Sequence, residues 1–133
     1  MNICILDYET SGLNPYYDDI IEIGAKIYQS DNEFNILIKP KSNKAISEKI
    51  RTITGITNQM LMTDGLKWNK GYQLFIDWMN DNYREGQENV IVSHNGENFD
   101  FLLFRRMMMD MNIKSKDYTF IDTLGLSKRL IPG

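Results

Sequence analysis

Ile3-Cys4-Ile5-Leu6-Asp7-Tyr8-Glu9-Thr10 decides how this chain is read. Ile3 to Leu6 is a short apolar run of the kind that forms a buried strand, with successive side chains on opposite faces. Asp7 and Glu9, two residues apart at the end of the run, therefore share one face, and Cys4 falls on the other. Like charges held side by side repel, so a fold keeps such a pair only where something compensates it. A divalent cation such as Mg²⁺ does so well, because hard cations prefer carboxylate oxygens. A lone acidic pair at a strand end is more often simply solvated, and the rest of the chain has to decide between the two readings.

The 133 residues are enough for a single core, and the chain reads as one domain over residues 1–133. Hydrophobic residues make up 42% and charged residues 25%, an ordinary balance for a soluble globular protein. No apolar run approaches a membrane span, and strand-like sequence begins so close to Met1 that no signal peptide is expected. The single cysteine excludes an internal disulfide, so the expected compartment is reducing: the cytoplasm of a microbe, or of a host cell if the source is viral. A formal charge of −3 argues against a broad non-specific nucleic-acid-binding surface. It does not argue against an enzyme of nucleic acids, since an acidic site inverts its local charge once cations bind.

Outward from the first strand, Asp19 to Gln29 is the next extended segment, with Ile20, Ile21, Ile23, Ala25 and Ile27 in partial alternation. Ser30-Asp31-Asn32 is a turn and Glu33 to Ile38 a third strand, which predicts an antiparallel meander. Ser47 is a candidate N-cap and Gly55 a stop for the first helix, and a short helical turn follows from Thr57 or Asn58. Trp68 to Tyr83 is the clearest amphipathic helix, with Tyr72, Phe75, Ile76, Met79 and Tyr83 at three- and four-residue spacing. Val90 to Ser93 is a short buried strand, and Phe99 to Met111 a helix with Phe101, Phe104, Met108 and Met111 on one stripe. Thr119 to Asp122 is the last strand and Leu124 to Leu130 a final short helix. The order β-β-β-α-α-β-α-β-α predicts an α/β fold, a mixed sheet with helices on its faces.

A second acidic block lies far along the chain, in Ser93-His94-Asn95-Gly96-Glu97-Asn98-Phe99-Asp100. Asp100 falls at the start of a helix, where the dipole and free N–H groups favour an ionised carboxylate. If Val90 to Ser93 runs parallel beside the first strand, its carboxyl end brings Asp100 near Asp7 and Glu9, at the sheet edge where open α/β folds bind ligands. Taken singly, Asp100 is a common helix-start acid, and His94 a residue that hydrogen-bonds at a strand end. Met107, Met108, Met109 and Trp78 imply only core or helix surface. Arg105 and Arg106 are expected on the exposed side of their helix.

Here the chain resembles the DEDD, or DnaQ-like, superfamily of 3′–5′ exonucleases, built on the RNase H-like fold. Leu6-Asp7-Tyr8-Glu9-Thr10-Ser11-Gly12-Leu13 is close to the family's D-x-E-T-x-G-L. His94 to Phe101 is one residue longer than the compact H-N-x-x-F-D form and is similar to the block of TREX-type exonucleases. Ile53-Thr54-Gly55-Ile56-Thr57 is similar to the family segment that borders the terminal nucleotide, and Ile121-Asp122-Thr123-Leu124 through Pro132 to the stretch after the second motif. Three ordered blocks across the whole chain make the resemblance specific.

The resemblance implies two-metal phosphodiester hydrolysis with two divalent cations, Mg²⁺ or Mn²⁺. Carried over by position, Asp7, Glu9 and Asp100 are the metal ligands and catalytic residues. Glu9 and Thr10 meet the 3′-terminal nucleotide, while Leu13, Ile53, Thr54, Asn95 and Phe99 line its pocket. Asp122, which the family retains beside its ligands, is given a supporting role. The implied partner is a nucleic acid with a free 3′ end, single-stranded DNA first, with a polymerase or a second copy as protein partner and no membrane. The implied fold is a three-stranded antiparallel meander plus two parallel strands, flanked by helices.

One departure matters. The family carries a third motif on a helix after the last strand, with a general-base His and, five residues later, a fourth Asp. His94 is the only histidine here and belongs to the second block, and no acid follows Asp122. The expectation is therefore a domain short of its C-terminal helix, with an exposed apolar sheet face and weak or absent activity. Loss of such a base costs about 10²–10⁴ in rate. The competing readings are an inactive relative that binds nucleic acid or protein, and a 3′–5′ exoribonuclease.

Overall fold

In the computed structural model, which describes residues 1–124, the opening run extends into a nine-residue strand, β1 (Asn2–Thr10). Asp7 and Glu9 thus lie within the strand and not beyond it. Cys4, Leu6, Tyr8 and Thr10 alternate into the interior, leaving Ile5 and Asp7 exposed on the other face. β2 (Ile20–Ile27) and β3 (Glu33–Leu37) complete the antiparallel meander. In the turn between them, Asn32 donates its N–H to the Ser30 hydroxyl at 2.9 Å. β4 (Asn89–Ser93) and β5 (Thr119–Asp122) add in parallel on the other side of β1, giving the order β3-β2-β1-β4-β5.

Three helices join the meander to β4, where the sequence pattern gives two. α1 (Glu48–Thr54) is capped by Ser47, whose hydroxyl accepts from the Ile50 N–H, and stops at Gly55. The turn after it proves a full helix, α2 (Asn58–Asp64), because Thr57 caps the Met60 N–H at 3.0 Å and Leu61 is buried beneath it. α3 (Trp68–Asn82) buries Tyr72, Phe75, Ile76 and Met79. A 3₁₀ turn (Gly96–Asn98) precedes α4 (Asp100–Asp110), whose inner face is broader than expected: Leu103 and Met107 are fully buried beside Phe101, Phe104 and Met108.

The main core fills one side of the sheet, with Leu6, Tyr8, Ile23 and Ile91 against α3 and α4. Burial of each large apolar side chain there contributes roughly 1.5–3 kcal/mol. Cys4 belongs to it, and burial pushes its thiol up to about 12. Ile21, Ile46, Ile50, Ile56 and Leu61 form a second, smaller cluster under α1 and α2. On the opposite sheet face Ile5, Val92 and Ile121 are register neighbours across β1, β4 and β5, and Ile5 and Ile121 are 43% and 36% exposed. Among the described residues this apolar rung lies open beside Asp7. Apart from Leu124, the expected final helix lies outside the described residues. No described helix is long and apolar enough to cross a membrane.

Candidate active site

The parallel pairing of β1 with β4 sets the site. Ser93, at the end of β4, donates its hydroxyl to the Leu6 carbonyl at 2.5 Å, tying the end of β4 to β1 one residue before Asp7. The chain then turns sharply through Asn95, at φ 60°, into the 3₁₀ turn. Gly96 lets this loop lie against α4, since a Cβ there would stand 2.4 Å from the Phe101 ring. Asp122, at the end of β5, anchors the loop from the far side. It accepts the N–H groups of Asn95 and Leu124 on one oxygen and of Glu97 on the other, at 2.9–3.1 Å. Desolvation opposes its ionisation, but those N–H groups together hold its carboxyl below the usual range.

The loop delivers Asp100 to β1. Asp100 opens α4, is 3% exposed, and its Oδ1 accepts the N–H of Tyr8 at 3.0 Å. Tyr8 is the residue between Asp7 and Glu9, so the third carboxylate is fastened to the backbone that carries the other two. Burial, with added repulsion from Asp7 and Glu9, raises the Asp100 carboxyl to about 7 against the pull of the Tyr8 N–H. Asp7 is raised by loss of water around it, and Glu9 by the same loss and then by the charges of Asp7 and Glu22.

Among the described residues no arginine or lysine pairs with these carboxylates: the ion pairs there are Lys41–Asp110 and Arg51–Glu48. An uncompensated set of carboxylates fits a cation. Among the described residues no three His, Cys, Asp or Glu side chains are grouped closely enough to hold a metal ion by themselves. Mg²⁺ takes one or two protein carboxylates with waters and substrate phosphate, so Asp7, Glu9 and Asp100 are the donors on offer to it.

The remaining sequence-predicted residues occupy separate segments. Thr10 is buried, with its hydroxyl donated to the Gly12 carbonyl, so it shapes the loop after β1. Leu13 on that loop is 78% exposed and Ile53 on α1 is 62% exposed, both large apolar groups held out of the core. Thr54 is half-buried and spends its hydroxyl on the Ile50 carbonyl. Asn95 accepts from Asn98 through its side chain, and Phe99 packs against the main core. Among the described residues no hydrogen bond ties Leu13, Ile53 or Thr54 to the three carboxylates. His94 is exposed, with Nδ1 3.1 Å from the Thr123 hydroxyl.

Two features escaped the sequence pattern. Arg106 is not a free surface cation: its guanidinium donates to the carbonyls of Pro15 at 2.9 Å and Asp18 at 2.5 Å, clamping the loop after β1 onto α4. Glu22 stands opposite Glu9 in register. The available signal was a lone carboxylate interrupting Ile20-Ile21-x-Ile23.

Comparison with known proteins gives consistent matches. The RNase T family model, described as exonuclease, matches residues 4–133. The chain is 36% identical over 130 residues to the PolC-type DNA polymerase III of Thermotoga maritima, covering 96% of this chain and 9% of that protein. Against the PolC-type polymerase of Mycoplasma genitalium the identity is 35% over 129 residues, covering 96% and 8%. The chain thus spans about a tenth of the length of these curated relatives. Among solved structures, Escherichia coli exonuclease I in complex with a 5cy-dT13 oligonucleotide superposes with a TM-score of 0.79 at 18% identity, covering 96% of this chain and 29% of that one. Exonuclease I in its apo form gives 0.78 at 19%, covering 96% and 30%. These two likenesses establish the mixed-sheet RNase H-like fold.

Proposed function

Because the chain belongs to the RNase T exonuclease family, we propose that it is a metal-dependent 3′–5′ exonuclease domain releasing nucleotides from the 3′ end of DNA. The observation that carries this reading is the Asp100–Tyr8 hydrogen bond, which fastens a carboxylate from α4 to the strand bearing Asp7 and Glu9. Asp7, Glu9 and Asp100 are its metal-holding residues. When bound, a pair of Mg²⁺ or Mn²⁺ ions supplies a hydroxide nucleophile and stabilises the leaving 3′ oxygen. The chain's own part is to hold and orient. Asp100 is fixed by the Tyr8 N–H and gives up its proton as cations enter. Glu9 faces the terminal nucleotide, with Thr10 and Asn95 shaping the loops around it. Leu13 and Ile53 offer exposed apolar surface to the base and sugar and exclude water, and Phe99 and Thr54 are assigned to the same pocket.

A DNA substrate is supported by the oligonucleotide in the exonuclease I complex and by the polymerase relatives. The same relatives support work alongside a DNA polymerase. His94, the only histidine of these 133 residues, has its Nδ1 3.1 Å from the Thr123 hydroxyl, at the foot of the loop that carries Asp100. The test is Mg²⁺- or Mn²⁺-dependent shortening of a 3′-exposed single strand, compared with the Asp7→Ala variant. The reading predicts metal-dependent loss of 3′ nucleotides that Asp7→Ala abolishes. Shortening unchanged in Asp7→Ala sinks the site assignment, and equal cleavage of an RNA strand sinks the DNA preference.

A further inference from the structure

Residues 11–19 join β1 to β2 without helix or strand, yet their shape is fixed from within. The Asn14 carbonyl accepts the N–H of Asp18 at 2.9 Å, and the Asp18 carboxylate accepts that of Asn14 at 2.7 Å. Gly12 makes room for this carboxylate, since a Cβ there would stand 2.3 Å from Asp18 Oδ2. At the base, the Ser11 N–H donates to the Asp19 carbonyl and the Asp19 N–H to the Ser11 hydroxyl, both at 2.8 Å. Pro15 is buried, while Leu13, Tyr16 and Tyr17 are exposed.

Bonds within the loop set its shape but not its place against the rest of the molecule. Leu13, with its side chain held out in water, gains by collapsing onto any apolar surface within reach. Ser42 fastens only the far end, donating its hydroxyl and its N–H to the Asp19 carboxylate. The turn itself is held by Arg106 of α4, through the carbonyls of Pro15 and Asp18. Arg106 stands about 9 Å along the helix axis from Asp100. Leu103, Phe104, Met107 and Met108 bury the intervening and following turns in the main core, so α4 is a rigid spacer. A guanidinium fork can engage two carbonyls at once, where a lysine offers a single point charge.

We propose that Arg106 is a positioning residue of the substrate site. By bridging Pro15 and Asp18 to α4, it holds Leu13 at a fixed offset from Asp100, where Leu13 meets the 3′-terminal nucleotide. This rests on the reading of Leu13 and of the metal ligands given above. Arg106 acts through Leu13, with its guanidinium spent on the loop.

The test is calorimetric titration of Mn²⁺, and then of thymidine 5′-monophosphate, into the 133-residue chain and its variants. Arg106→Met keeps the apolar stem and removes the donors. If the released loop holds Leu13 in place about a tenth of the time, apparent affinity falls about tenfold. Arg106→Met is therefore expected to weaken nucleotide binding about tenfold, with Mn²⁺ affinity and binding stoichiometry unchanged. Arg106→Lys, which can reach one carbonyl at a time, should fall between Arg106→Met and the native chain. Leu13→Ala should weaken nucleotide binding too, and Arg106→Met should add nothing on top of it, because the loop's place no longer matters. A merely structural role lowers the stoichiometry and leaves the affinity of the folded fraction unchanged, and that result overturns the proposal. Effects of Arg106→Met and Leu13→Ala that multiply overturn it as well. The native chain and Leu13→Ala separate the two levels. If the native chain binds neither Mn²⁺ nor nucleotide, or Leu13→Ala binds nucleotide normally, the reading beneath the proposal has failed and takes it along. If Leu13→Ala weakens binding while Arg106→Met binds normally, only the role of Arg106 has failed.

Discussion

Asp100 holds the electrostatic tension of the site. It is buried beside two other carboxylates, receives one N–H from Tyr8, and is raised to about 7. A carboxyl raised above its unfolded value of 3.8 binds more protons folded than unfolded in the interval between the two. Stability from this group is therefore complete below about pH 4 and is lost as pH rises towards 7, the reverse of an ion-paired aspartate. Asp7, Glu9 and Glu22 are raised as well and act in the same direction. The metal-free melting temperature should thus fall between pH 4 and 7. Mg²⁺ should restore it increasingly over the same interval, because cations bind the deprotonated form. Thermal melts of native and Asp100→Asn chains check this. The variant should lose most of the decline and most of the metal effect, and an equal decline in both would contradict the assignment of Asp100.

At the scale of the elements, the loop between β4 and α4 depends on β5. Asp122 gathers backbone N–H groups from Asn95, Glu97 and Leu124, and hydrogen bonds to a charged acceptor are worth about 1.5–3 kcal/mol each when kept from water. Exposure of this loop lowers that figure. Asp122→Ala should therefore cost about 1–2 kcal/mol overall and speed amide hydrogen exchange at Asn95 and Glu97, leaving the centre of β1 protected. Unchanged exchange in the loop would mean that Asp122 is not its anchor. The supporting role expected of Asp122 in the sequence takes this physical form. The helix caps at Ser47 and Gly55 were readable because they are local, whereas α2 reads as a mere turn because its cap at Thr57 serves only seven residues. β1 reads as ending at Leu6 because Asp and Glu are poor strand formers. Pairing with β2 carries the strand to Thr10 regardless.

For the whole molecule, what could be read in the sequence was what repeats at short range or lies in ordered blocks. The meander and the amphipathic Trp68 helix are of this kind, as is the placement of the Asp100 block at the end of β4 beside β1. What could not be read depends on partners distant along the chain. Arg106 finds Pro15 and Asp18 from across the fold. Glu22 looks like an interruption in an isoleucine run until register sets it against Glu9. The open rung Ile5, Val92 and Ile121 likewise exists only once three strands are aligned.

The central claim is that Asp7, Glu9 and Asp100 together hold divalent cations. Crystals of the chain soaked in Mn²⁺ with thymidine 5′-monophosphate, measured at the manganese absorption edge, test it most directly. The account predicts anomalous density about 2.0–2.3 Å from carboxylate oxygens of Asp7, Glu9 and Asp100, with the nucleotide phosphate on the same ion. Ordered nucleotide with no manganese at these three residues, or manganese bound elsewhere alone, would contradict it.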